Sequence, residues 1–210
     1  MIIDVGASSG IFAIPWSLKY PNHHVFCFEP NNKNFNSLLK KSQNINNITV
    51  YKKAISNISC IQKFYEANYT NSSSLLPFNK DGVNKWKHPT PTTPKLETIS
   101  TYDVECVRLD EWMAENGIKG DIDFLKIDTQ GHDLEVIKSL GEEIKRVKEI
   151  TAEVQIVETE VYKNSSKRED LLEYMKEKGF SIWKIQPWSH NQEQNIWFTN
   201  NRFKNFLHLT

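Results

Sequence analysis

Three short clusters in this sequence hold residues whose types and spacing suit chemistry. The first, Asp4-Val5-Gly6-Ala7-Ser8-Ser9-Gly10, places an acid and two glycines as Asp-x-Gly-x-x-x-Gly directly after an apolar run. Glycines let the main chain approach a ligand closely, and a helix start beyond them offers unpaired N–H donors. That combination suits a nucleotide-bearing ligand. A dinucleotide turn needs Gly-x-Gly-x-x-Gly, but Ser8 and Ile11 stand in the second and third glycine places. No Gly-x4-Gly-Lys-Ser/Thr occurs either, which removes the P-loop. The second cluster is Phe28-Glu29-Pro30-Asn31, closing an apolar run. A carboxylate there accepts hydrogen bonds from a ribose diol and repels a 2′-phosphate. The third is Leu125-Lys126-Ile127-Asp128-Thr129-Gln130-Gly131-His132-Asp133. Asp128 would face the ligand's cationic part or a second substrate, although alone it reads equally well as a helix cap.

Other candidates depend on these. His132 falls in the first turn of the helix expected after Asp128, where the helix dipole disfavours imidazolium and leaves a neutral ring able to take a proton. A surface histidine at a helix start is the alternative. Asp133 reads as a first-turn carboxylate or as a group orienting that ring. Ser73 and Ser74 line an acceptor pocket if their segment folds over it. Trp188 and His190, on a polar loop near the end, are candidates to stack on or bond an acceptor, whereas Trp183 and Trp197 read as strand core. Asp128, His132, Asp133 and Glu153 are oxygen-rich enough for magnesium, but no ligand spacing demands it, so no metal is assigned.

These residues need a frame. Apolar runs at 2–5, 25–28 and 48–51 alternate with helical patterns at 11–20 and from Phe35 to Ile45. The alternation returns with a helix capped by Asp110, a strand at 122–127, a helix at 132–140, a strand at 147–157, a helix at 168–178, and strands at 180–185 and 195–199. Continuous apolar strands followed by helices predict a mostly parallel sheet covered on both faces. Between the two stretches, 58–67 reads as an extra strand or hairpin and 102–109 as another strand. The segment 68–98, with Pro77, Pro89, Pro91 and Pro94, exceeds an ordinary connection and reads as a linker or a functional lid inserted into a single domain spanning 1–210.

With Ser73-Ser74-Leu75 and Val107-Arg108-Leu109-Asp110-Glu111-Trp112 added, the successive motifs resemble those of the FkbM family of methyltransferases over nearly the whole chain. The first motif is shared by most class I methyltransferases; the Lys-Ile-Asp-x-x-Gly block with the Leu-Asp-Glu segment is more specific. The resemblance implies a Rossmann-like seven-stranded sheet with an antiparallel last strand and S-adenosylmethionine as donor. It implies O-methylation of a hydroxyl on a small molecule or saccharide. Asp4, Gly6, Ser8 and Gly10 match the family's methionine-binding turn, Glu29 its ribose ligand, and Lys53-Ala54-Ile55 the place of the adenine; Ala7, Pro30 and Asn31 are counted with them as cofactor-binding residues. The family block reads Asp-x-Glu-Gly-x-Glu; here Gln130 and Asp133 replace its two glutamates, and the chain lacks the family's usual helix before the first strand.

Composition narrows the acceptor and the setting. The 26 basic residues balance 26 acidic ones, against the basic excess expected of a protein that holds phosphate backbones. No Asn/Asp-Pro-Pro-Tyr/Phe block, typical of enzymes that methylate planar nitrogens, is present. Cys27, Cys60 and Cys106 form no CxxC pair and read as reduced thiols in a cytoplasmic protein. No apolar run reaches the ~20 residues of a membrane span, and the start lacks a secretory pattern. Methylation of nucleic acid or protein, or a binding module without catalysis, are the alternative readings.

Overall fold

Short strands of Ile, Val and Phe alternate with helices and supply the main sheet. A computed structural model describes residues 1–87, 90 and 92–203. β1 (Ile2–Val5), α1 (Ala13–Lys19), β2 (Val25–Phe28), α2 (Asn32–Ser42) and β3 (Ile48–Tyr51) come first. β4 (Ala54–Ile55), β5 (Cys60–Ala67), α3 (Lys80–Lys85) and β6 (Thr98–Val107) interrupt the pattern. It resumes with α4 (Leu109–Glu115), β7 (Ile122–Ile127), α5 (Asp133–Lys138), β8 (Val147–Gln155), α6 (Arg168–Glu177), β9 (Phe180–Trp188) and β10 (Glu193–Asn200).

The seven-stranded sheet has the order β3-β2-β1-β7-β8-β10-β9. β3, β2, β1, β7 and β8 run parallel, and β10 lies antiparallel between β8 and β9. This is the expected Rossmann-like α/β sheet with its antiparallel last strand. Side chains alternate across β1. Ile3 and Val5 join a core with Trp112, Leu134, Ile137, Leu171 and Met175 from α4, α5 and α6. Ile2 joins a second core with Ala13 and Leu38 from α1 and α2. Both faces are therefore covered, and the carboxyl ends of the central strands are left to carry a site.

The structure corrects several expectations. The strand expected at 102–109 is present with earlier bounds, Thr98–Val107: as β6 it pairs antiparallel with β5 and parallel with β4 in a separate three-stranded sheet. Asp110 does not cap α4, whose N-cap is Arg108; its carboxylate binds the Arg108 guanidinium instead. β9 extends to Trp188, and a short 3-10 turn at Ser189–Asn191 replaces the polar loop. The segment 68–98 is not a bare linker: it holds a 3-10 turn at Thr70–Ser72, α3, and an apolar cluster of Leu76, Phe78, Val83, Trp86 and Leu96 around Val161 and Tyr162. Pro89 and Pro91 lie outside the described residues.

Candidate active site

The sheet order sets the site out as a row. β2, β1 and β7 are neighbours in register, with Val5 opposite both Phe28 and Ile127. The segments that follow them, Glu29-Pro30, the glycine turn and Asp128-Thr129, must therefore stand side by side. They line one cleft of about 760 Å³ with Lys53, Ala54 and Ile55 beyond β3 and with His132.

The turn is held from behind. Asp4 is fully buried and faces Lys126 across the β1–β7 ladder, Oδ1 to Nζ 3.1 Å. Nζ also donates to the Gly6 carbonyl at 2.8 Å and lies 3.6 Å from Asp128. Burial pushes the Asp4 carboxyl up, with Lys126 opposing; the two acids hold Lys126 protonated despite its burial. Asp4 thus braces the turn and does not line the cleft, whereas Gly6, Ala7 and Ser8 do. Gly6 has φ +73°, and a Cβ there would sit 1.9 Å from the Asp128 carbonyl, so only glycine lets the two loops meet. Gly10 serves packing: its Cβ would collide with Leu38 and Ile14, and it does not reach the cleft.

Glu29 is 5% exposed and ties two loops together. Its Oε2 accepts from the Ser8 N–H at 2.7 Å and its Oε1 from the Asn31 N–H at 2.8 Å. Burial pushes its carboxyl up to about 7 against those two bonds. Pro30 lines the cleft. Asn31 does not; its side chain caps α2, accepting from the Lys33 and Asn34 N–H groups.

The loop after β7 is drawn tight by Asp133. This buried carboxylate accepts from the Thr129 N–H and hydroxyl and from the Glu153 N–H, and burial followed by Asp128 raises it to about 6. It therefore fixes the loop and does not orient His132. His132 is the N-cap residue of α5, one position earlier than expected, and lines the cleft with Nε2 3.0 Å from the Ser56 hydroxyl. Its pKa is lowered, and the cause is burial, with Glu135 opposing. Gln130, at φ +58°, donates from Nε2 to both Asp128 and Glu153 and accepts from the Tyr162 hydroxyl.

Part of the 68–98 segment closes over this edge. Ser8 Oγ donates to Asn71, Tyr65 bridges to Ser74, and the Ser74 hydroxyl donates to the Gln130 carbonyl at 2.9 Å. Ser73 lines the cleft; Ser74 is buried and its hydroxyl is committed to the β7 loop, so the structure places it outside the cleft. A second cleft, of about 1460 Å³, adjoins the first through Ile11, Phe12, Thr70, Asn71, Asp128 and Gln130. Trp188 lines it, His190 does not, and Trp183 and Trp197 pack edge to face in β9 and β10. Sequence reasoning missed Lys126, Phe12, Ser56 and Glu193. For Lys126 there was a signal, since a charge within a buried apolar strand requires a partner. For the others there was none.

Residues 4–182 match the family model described as the methyltransferase FkbM domain. The chain belongs to the FkbM methyltransferase family. It is similar to Methyltransferase sdnD of Sordaria araneosa, 27% identical over 209 residues that cover 91% of this chain and 78% of that one. Among solved structures, precorrin-6y C5,15-methyltransferase from Geobacter metallireducens GS-15 superposes with a TM-score of 0.50 at 14% identity, covering 95% of this chain and 79% of that one. Aeropyrum pernix fibrillarin, in complex with natively bound S-adenosyl-L-methionine, gives 0.50 at 10% identity, covering 94% and 65%. These two likenesses are of fold.

The cofactor of this FkbM domain is S-adenosylmethionine, and the lining of the first cleft fits it by chemistry. The lining combines an apolar part, with Phe28, Ile55, Phe64 and Leu75, with a polar part at Glu29, the Gly6–Ser8 main chain and Asp128, as a ligand with an aromatic base, a diol and a charged amino acid end requires. Among the described residues no group of three or more His, Cys, Asp or Glu is arranged to hold a metal ion. No described helix is long and apolar enough to cross a membrane.

Proposed function

We propose that this FkbM methyltransferase transfers its methyl group to a hydroxyl oxygen of a small molecule or saccharide, with His132 as the general base. The observation that carries the reading is the junction of the two clefts at Asp128 and Gln130, with His132 in the wall of the first. S-adenosylmethionine, when bound, supplies an electrophilic methyl on a sulfonium. The chain's residues must align the acceptor oxygen, exclude water and take up a proton. Burial keeps His132 neutral. In the tautomer whose Nε2–H donates to Ser56, Nδ1 is free to accept the proton that the acceptor hydroxyl would lose.

A phosphate backbone entering the second cleft would meet Asp128, Glu153 and Glu193, which speaks for small acceptors over nucleic acid. Trp188, in the wall of the second cleft, serves as an acceptor contact. Residues 1–210 are read as one methyltransferase domain with an insertion at 68–98. The three free thiols suit a reducing cytoplasm.

The test is to incubate the protein with S-adenosylmethionine and a panel of hydroxylated small molecules, following S-adenosylhomocysteine and product mass. His132→Ala should lower kcat by about 10²–10⁴-fold while cofactor affinity, measured by calorimetry, stays within a few-fold. Methyl groups appearing on nitrogen, or an undiminished kcat in the variant, would refute the assignment.

A further inference from the structure

The site is a row of strand ends, and the row continues past the cofactor. Beyond β7 come β8 and the antiparallel β10, so the end of β8 and the beginning of β10 meet at the same edge of the sheet, with Glu193 opposite Gln155 and Asn195 opposite Glu153. The second cleft lies over this half. Three carboxylates, Asp128, Glu153 and Glu193, line it, and none of its described lining residues is lysine or arginine. Phe12, Trp86 and Trp188 supply aromatic wall.

The charges do not balance within the protein. Lys126, a cation near this edge, already stands between Asp4 and Asp128. Glu153 receives a hydrogen bond from Gln130 but has no ion-pair partner among the described residues. Glu193 is only 7% exposed, receives a long 3.4 Å contact from Gln155, and likewise has no cation within ion-pair distance among the described residues. Burial, followed by the charges of Asp128 and Glu193, pushes the Glu153 carboxyl up; burial pushes Glu193 up against hydrogen bonds from Ser189 and Gln155, with Asp128 adding. A cleft built this way is costly to keep ionised when empty and is relieved by a cation. Aromatic faces at the wall add to the attraction for a positive group.

We propose that the acceptor carries a protonated amine beside the hydroxyl that is methylated, as an amino sugar does, and that Glu153 and Glu193 receive the ammonium. This rests on the reading of the second cleft as the acceptor side. The ammonium sits on the β8–β10 half of the row and the reacting hydroxyl on the β7 half, next to Asp128.

The test uses the full chain saturated with S-adenosylhomocysteine, titrated calorimetrically with matched pairs: glucosamine against N-acetylglucosamine, galactosamine against N-acetylgalactosamine, and simple amino alcohols against their N-acetyl forms. At least one amine should bind tenfold or more tightly than its acetylated partner, and Glu193→Gln and Glu153→Gln should each remove most of that preference. S-adenosylmethionine affinity, whose cleft neither residue lines, reports that the variants are folded. Equal binding within every pair, no measurable binding of any amine, or a preference that survives in both variants would overturn the inference. Failure of the wild-type protein to bind S-adenosylmethionine would instead sink the underlying reading of the site.

Discussion

At the scale of single residues, Glu29 carries opposed demands. It is buried and receives two main-chain N–H bonds, yet its carboxyl is raised to about 7 because desolvation outweighs them. For such a group the stability contribution is full below its unfolded value near 4.5 and is lost as pH rises through about 7. The protein thus resists the ionised form, and on the proposed ribose role a diol, which donates hydrogen bonds, would select it. Cofactor affinity of the wild type and of Glu29→Gln should therefore differ little at pH 6. They should diverge to at least about tenfold, or ~1.4 kcal/mol, at pH 8. Comparing the two proteins cancels the titration of the cofactor's own amine. Calorimetric titrations at the two pH values check this, and a ratio that does not change with pH would exclude ionised Glu29 as the ribose ligand.

At the scale of elements, the β1–β7 pair shows what the sequence disclosed and what it withheld. The strands at 2–5 and 122–127 were legible because short runs dominated by Ile, Val, Leu and Phe, interrupted only by Asp4, Asp123 and Lys126, read as strands buried on both faces. The acids ending β2 and β7 were legible for the same reason, since a charge at the end of a buried strand is conspicuous. The β4-β6-β5 sheet was not legible: it joins strands separated by the 68–98 segment, and no local pattern records such a pairing. Nor was the roll of the turn residues. Asp4, Gly10 and Asn31 fall within the motif, yet the first braces, the second packs and the third caps, because motif spacing fixes chain direction and not which side chain faces the ligand. The Asp4–Lys126 pair makes this testable. Lys126→Met leaves an uncompensated buried acid and should cost about 3 kcal/mol in urea unfolding. Combining it with Asp4→Asn removes both charges and should restore more than half of the loss. Equal instability of the double variant would show that the pair is not what holds the two strands' loops together.

At the scale of the whole molecule, the cofactor cleft draws on segments far apart in the chain. It takes the turn after β1, the end of β2, the strand β4, Phe64 of β5, the 70–75 segment and the loop after β7. Each would otherwise end in a loop held by few contacts, such as the Ser8–Asn71 and Ser74–Gln130 bonds that pin the 70–75 segment. A ligand that touches all of them binds the folded chain and has no comparable site on the unfolded one, so mass action must stabilise the fold. At a cofactor concentration of one hundred times Kd the gain is about 2.7 kcal/mol. For a chain of this length, 1 kcal/mol moves Tm by roughly 2–4 °C, so S-adenosylmethionine and S-adenosylhomocysteine should each raise Tm by about 5–10 °C. Adenosine, which lacks the methionine end proposed to meet Gly6–Ser8 and Asp128, should raise it less at equal concentration. NADH, whose dinucleotide turn the Ser8 and Ile11 positions do not supply, should leave it unchanged. A scan in which NADH matched S-adenosylmethionine would show that the spacing of the glycine turn does not select the ligand, and the assignment of every residue along the row from Glu29 to Asp128 would have to be made again.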